Sequence, residues 1–167
     1  GIGIKTSSIH YYFPTKEDLG LALLARYRSA FKAALAAIEA EVSDPKLKIE
    51  RYVDLFVHTV RGGKICLCGM FATDSSTLPE SIQAEVKGFY AENELWLAEV
   101  CKQGRELGQF NFDGSPSIKA EIILSTLEGA MIAARLFKDE KRLLSAGEWI
   151  QGALSRSRIV VLLGPRQ

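Results

Sequence analysis

Gly3-Ile4-Lys5-Thr6-Ser7-Ser8-Ile9-His10-Tyr11-Tyr12-Phe13-Pro14-Thr15-Lys16-Glu17-Asp18-Leu19 is the stretch on which the reading of this chain turns. Two glycines ahead of Lys5-Thr6-Ser7 invite a phosphate-loop interpretation. Such a loop needs glycine directly before its lysine, so that the backbone can wrap a phosphate. Ile4 stands there instead, β-branched and averse to positive φ, and no strand-like apolar run precedes it. The segment divides more naturally into a short helix through Tyr11, a turn at Pro14, and the start of a longer helix. Thr15 is placed to cap that helix, with Asp18 three residues on completing a variant capping box.

The bulk numbers describe an ordinary globular protein. The 167 residues carry 25% charged and 47% apolar side chains and a net charge of +1. A chain of this size buries roughly 68–70% of its unfolded surface, so it needs neither disulfides nor a metal to hold a core. No apolar run reaches membrane-spanning length and no signal peptide is visible, which makes a cytoplasmic location the expectation. Near-neutral charge argues against a chain that coats nucleic acid indiscriminately, but permits basic groups confined to one end. Cys66, Cys68 and Cys101 are odd in number and unpaired in spacing, as reduced thiols are. With only His10 and His58 besides, no metal site is expected, and no cofactor.

Apolar periodicity predicts helices throughout. Leu24, Tyr27, Phe31, Leu35, Ile38 and Val42 make one stripe, which Ser43-Asp44-Pro45 ends while starting the next helix. Tyr52, Leu55, Phe56, Thr59 and Val60 continue until Gly62-Gly63. The apolar run from Cys66 to Thr73 is ambiguous in type. Ile82, Val86, Phe89, Trp96, Val100 and Leu107 mark another long helix, with the polar Asn93 on its core face. Ile118 to Phe137 is apolar nearly all round, with Gly129, Ala130, Ala133 and Ala134 permitting close helix approach. Such a helix must be covered on every side, and a second subunit is the simplest cover. Leu143, Leu144, Trp149, Ile150, Leu154 and Val161 suggest a last helix sharing that role, so helices near 117–137 and 143–163 are expected to form a four-helix homodimer seam. The fold class is all-α.

With the helices in place, the opening stretch resembles the recognition helix and following turn of TetR/AcrR-type transcriptional regulators: glycine, an aliphatic, small polar residues, an aliphatic, aromatic-x-Tyr-Phe, a turn and Lys-Glu-x-Leu. His10 stands where that family usually has Tyr. The resemblance implies a bacterial DNA-binding regulator with residues 1–19 as the remainder of a helix-turn-helix head, residues 20–167 as a ligand-binding and dimerisation domain, and 20–42 as linking helix. The family's helices before the turn are not in this sequence, so either the natural chain is longer or the chain given is only its ordered part. Thr6, Ser7 and Ser8 are short hydrogen-bonding groups suited to base edges and phosphates at a helix N-terminus, with His10 beside them. Lys5, Tyr11 and Lys16 would anchor phosphates. Tyr12 and Phe13 read as core of the head.

The family plan also implies a small-molecule effector in the middle bundle, most commonly one that releases a repressor from a palindromic operator. Phe56, Met70, Phe71, Phe89, Asn93 and Trp96 are the candidate pocket residues, mostly apolar with one amide; each aromatic is equally a core candidate. Cys66 matches a position that the oxidant- or electrophile-sensing branch uses. A reactive thiol there would need Lys64 or Arg61 to supply positive charge; otherwise Cys66 is a small buried hydrophobe. No enzyme is expected, for neither histidine has Glu three residues before it and the polar residues of the opening helix do not assemble a nucleophile, base and orienter. A structural or sensor dimer that binds no DNA is the competing interpretation.

Overall fold

The computed structural model describes residues 11–155. Tyr11 and Tyr12 are helical, and six further α-helices follow: α1 (Lys16–Glu41), α2 (Pro45–Arg61), α3 (Leu67–Ala72), α4 (Glu80–Glu106), α5 (Pro116–Phe137) and α6 (Lys141–Ser155), with a 3-10 turn at Ser75–Thr77. No strand occurs among the described residues, and the fold is all-α.

Capping chemistry sets the boundaries. Thr15 Oγ1 accepts from the Asp18 N–H at 3.0 Å while Asp18 Oδ2 accepts from the Thr15 N–H at 3.0 Å, the reciprocal box expected from the sequence. Asp44 caps α2 through the Lys46 N–H at 3.1 Å, with Pro45 at the first helical position. Ser115 and Pro116 repeat the device at α5. α5 stops at Lys138, whose left-handed φ of 52° turns the chain into α6.

Long-range contacts fix the helix directions. Ser81 donates to the Glu17 carboxylate, Arg28 reaches Glu85 and Glu92, and Lys48 links Glu39 to Gln103, so α1 and α4 run parallel. α2 runs opposite to both: Lys48 sits near the end of α1, and Tyr52 farther along bonds Asn93. α5 returns antiparallel to α4, carrying Glu128 to Gly69 and Met131 to Cys66. α6 turns back again, with Gln151 donating to the Lys46 carbonyl. The start of α1, the ends of α2 and α5 and the start of α6 therefore share one end of the body. We call it the head end, because the opening stretch joins α1 there.

Ile49, Tyr52, Phe56, Phe89, Leu97, Leu124, Leu127, Met131, Leu143 and Ile150 fill the shared core. Several expectations shift. α2 buries Ile49, Val53 and Val57 beside Tyr52 and Phe56, whereas Leu55, Thr59 and Val60 are only half-buried. Leu107 is exposed, because α4 ends at Glu106 and the chain turns away. Tyr12 is 73% exposed and not core: its ring meets that of the likewise exposed Tyr11 edge-on, with centroids 5.2 Å apart. α5 has two faces: Ala120, Ile123, Leu124, Leu127 and Met131 point inward, while Ile118, Ile122, Ile132, Leu136 and Phe137 are exposed. On α6, Leu143, Ile150 and Leu154 are buried, and Leu144 and Trp149 face out beside that apolar strip. Val161 lies outside the described residues. No described helix is long and apolar enough to cross a membrane.

Candidate functional site

Of the residues expected to read DNA, Lys5, Thr6, Ser7, Ser8 and His10 lie outside the described residues. Tyr11 is 80% exposed, and Lys16 is an exposed residue in the first turn of α1. Both stand at the head end.

The six pocket candidates do not converge on one cavity. Phe89, Asn93 and Trp96 line a groove of about 450 Å³ between α1 and α4, together with Phe31 and Leu35 of α1 and the exposed Leu95. Phe71 belongs to a separate hollow of about 390 Å³ on the other side of α4, with Leu78, Val86 and Tyr90. Phe56 is core, 2% exposed and edge-on to Phe31, and Met70 is half-exposed on α3 and lines neither cavity. Helical phase explains the division: residues 89, 93 and 96 recur every three or four positions on the α4 face that meets α1. Phe31, Leu35 and the pair Arg28 and Lys32 also line this groove, although periodicity assigns the apolar ones only to the linking helix.

Asn93 has its hydrogen bonds made. Its Oδ1 accepts from the Tyr52 hydroxyl at 2.9 Å, and its Nδ2 donates to the Phe89 carbonyl at 2.8 Å. Tyr52 is stacked against Trp96 with ring centroids 5.5 Å apart. The pair thus forms a polar but satisfied floor beneath an apolar groove.

Two charged fastenings bracket the groove. Arg28 donates through Nε and Nη2 to Glu92 at 2.9 and 2.8 Å, and through Nη1 to Glu85 at 3.0 Å. Its guanidinium lies against Gly88, where an added Cβ would meet Nη1 at 2.5 Å, so glycine makes the seat. The Arg28 hydrogen bond holds the Glu92 carboxyl below its ordinary pKa. At the other end Lys48, 3% exposed, donates to Glu39 at 2.5 Å and to Gln103 at 3.1 Å, tying α1, α2 and α4 together. Neither Lys48 nor Arg28 is singled out by periodicity, which sees apolar stripes and not the charges that close them.

The setting expected of a reactive thiol does not form around Cys66. It is 1% exposed, and its Sγ accepts from the Gly69 N–H at 3.3 Å. Arg61 is engaged with Glu140 at 2.7 Å. The charged neighbour is instead Glu128, 7% exposed on α5, against which Gly69 packs so closely that a Cβ would collide. Burial first, and Glu128 second, push the Cys66 thiol well above its ordinary pKa. Burial raises the Glu128 carboxyl too, and its Oε1 has no hydrogen-bond partner. Cys68 and Cys101 are likewise buried, their thiols pushed up to about 12. All three cysteines therefore serve as packing groups in this conformation. Glu128 gives no signal in the sequence, where it reads as one polar residue among many apolar ones.

These helices have known counterparts. No family model matches the chain. It is similar to a curated transcriptional repressor of a Mycobacterium species, DhaR, at 22% identity over 144 residues, covering 84% of this chain and 71% of that protein. Its structure superposes on a TetR-family regulator from Agrobacterium tumefaciens with a TM-score of 0.87 and 28% identity, covering 92% of this chain and 82% of the other. A TetR regulator from Legionella pneumophila superposes at a TM-score of 0.81 with 36% identity, over 92% of this chain and 81% of its own. Shared helices along nine-tenths of the chain, with more than a third of the residues identical, go with the opening motif, and the chain belongs to the TetR family of DNA-binding transcriptional regulators.

Proposed function

We propose that this protein is a homodimeric, ligand-responsive repressor released from a palindromic operator when a small apolar molecule enters the groove between α1 and α4. In this reading residues 1–19 complete the DNA-reading head and residues 20–167 form the sensor and dimer body. Lys5, Tyr11 and Lys16 hold phosphates, and Thr6, Ser7, Ser8 and His10 meet base edges. The observation that carries it is the composition of the groove: one wall is α1 itself, the helix continuous with the head. An occupant pushing Phe31 and Leu35 acts on the head without any intermediary. Effector control further requires that the ligand prefer the conformation in which the two heads no longer match half-sites about one helical turn apart.

In the same proposal a second copy packs on the exposed strip of Ile122, Ile132, Leu136 and Trp149, a reading supported by their exposure and their spacing along α5 and α6. The test is a salt titration of the full natural chain on the palindromic segment upstream of its own gene, against a scrambled duplex. Tight sequence-dependent binding supports the regulator. Equal binding to both duplexes, or none at low salt, defeats it and favours a dimer that binds no operator.

A further inference from the structure

The charge of this chain is distributed unevenly along the body. Arg61, Lys64, Arg135, Lys138, Lys141 and Arg142 come together at the head end, where α2 and α5 finish and α6 begins. Among the described residues Asp139 and Glu140 accompany them there, and Asp54, farther back on α2, lies within electrostatic reach of Arg61. The rest of the chain holds fifteen cations against eighteen carboxylates, so its net charge is negative, and the positive excess resides in this cluster. The carboxylates Glu17, Asp18, Asp74 and Glu80 belong to the neighbouring α1–α4 side of the same end.

Part of the cluster is occupied internally. Arg61 pairs with Glu140 at 2.7 Å, Arg142 reaches Asp139 at 3.8 Å and lies over the Phe137 ring, and Arg135 donates to the Gly63 carbonyl at 2.5 Å. Those contacts shape a hollow of about 540 Å³ lined by Arg61, Arg135 and Lys138 among others. Lys64, Lys138 and Lys141 are exposed and have no carboxylate partner among the described residues. The cluster also adjoins Ile132, Leu136 and Leu144 of the proposed seam. In a two-fold dimer built on that proposed seam the two clusters would face one another near the axis, on the side of the body that carries the heads. Two like-charged patches brought together repel unless something anionic lies across them.

We infer that this basic end of the body is a second DNA-facing surface, which attracts the backbone phosphates of the stretch between the two half-sites and adds sequence-independent affinity to what the heads supply. The inference rests on the dimeric, DNA-binding reading above. Duplex DNA fits the patch because it carries a phosphate charge on both strands along the very segment the two heads must straddle. A contact of this kind positions but does not specify.

The experiment uses the full natural chain with Lys64→Gln, Lys138→Asn and Lys141→Gln together; asparagine is chosen at 138 because it tolerates the left-handed backbone there. A control variant neutralises three cations at the far end, Lys46→Gln, Lys102→Gln and Lys119→Gln. Each phosphate that the protein ceases to neutralise takes about 0.9 from the slope of log affinity against log salt, so one to three such phosphates per protomer predict a decrease of about 2 to 5 for the head-end variant. The decrease should be equal on the upstream palindrome and the scrambled duplex, and absent in the control. Methylphosphonate linkages placed only in the spacer should weaken the wild type and leave the head-end variant unaffected. A head-end variant that matches wild type in slope and affinity overturns the inference, and so does an equal decrease in the far-end control. A wild type that binds neither duplex overturns the DNA-binding reading itself, a separate and distinguishable failure.

Discussion

Replacing Asn93 by leucine and Tyr52 by phenylalanine, singly and together, measures what holds the floor of the α1–α4 groove. Tyr52 is fully buried and Asn93 is 2% exposed, so neither can take water in place of a missing partner. Asn93→Leu leaves the Tyr52 hydroxyl unpaired, at about 2 kcal/mol, within the ~1–3 kcal/mol of a buried orphan donor. The Phe89 carbonyl, which also accepts from Asn93 Nδ2, lies inside α4 and retains its helical environment. Tyr52→Phe strands the Asn93 Oδ1, at about 1.5 kcal/mol. Removing both partners leaves no orphan, so the double variant should cost about 1.5–2 kcal/mol, well under the summed singles, a coupling of about 1.5–2 kcal/mol. Thermal and urea unfolding at fixed protomer concentration read this out, each kcal/mol moving Tm by ~2–4 °C for a chain of this size. Costs that add to within about 0.3 kcal/mol would show that the 2.9 Å contact carries no energy of its own and refute the reasoning.

Three other outcomes follow from the same structure. Glu128 keeps its proton more readily when folded than when unfolded, so its contribution is intact below the ordinary carboxylate range and falls as pH rises above it; Glu128→Gln should gain on wild type as pH rises from the ordinary carboxylate range, and parallel stability curves would contradict this. Cys66, buried and with its thiol pushed upward, should react with iodoacetamide at pH 8 far more slowly in the native chain than in urea, and fast native labelling mapped to Cys66 by mass spectrometry would restore the thiol-sensing reading. Leu136→Glu places like charges across the proposed seam at a side chain that is 75% exposed in one protomer, so sedimentation velocity at low micromolar concentration should give a monomer where wild type gives a dimer; a dimeric variant would move the seam elsewhere.

What the sequence made legible was local. Thr15 with Asp18 and Asp44 with Pro45 placed two helix starts, because caps act within one turn of the backbone. The apolar surplus of Ile118 to Phe137 resolved into a buried and an exposed face, as an all-round apolar helix requires. What stayed hidden depends on pairs far apart in the chain. Nothing near Lys48 announces Gln103, fifty-five residues on, and nothing near Glu128 announces a glycine and two cysteines packed around its carboxyl. The candidate pocket was half legible for the same reason: Phe89, Asn93 and Trp96 share a face of one helix, whereas Phe56, Met70 and Phe71 join them on composition alone.

The two fastenings beside the groove give α1 the mechanics of a lever. Arg28 and its carboxylate partners are about a third exposed; Lys48 is almost sealed and bonds Gln103 as well as the half-exposed Glu39, so a motion of α1 that frees the Arg28 end would pivot at Lys48. At ~1.5 Å of rise per residue, Leu35 stands ~6 Å from a pivot at Glu39 and Lys16 stands ~35 Å from it. A sideways shift of ~1 Å at Leu35 then becomes ~6 Å where the chain enters the head, a sizeable fraction of the ~12 Å width of a major groove. The same leverage would run backwards: a head gripped by DNA would resist with its long arm, and a ligand in the proposed groove would have to overcome that resistance across the short one.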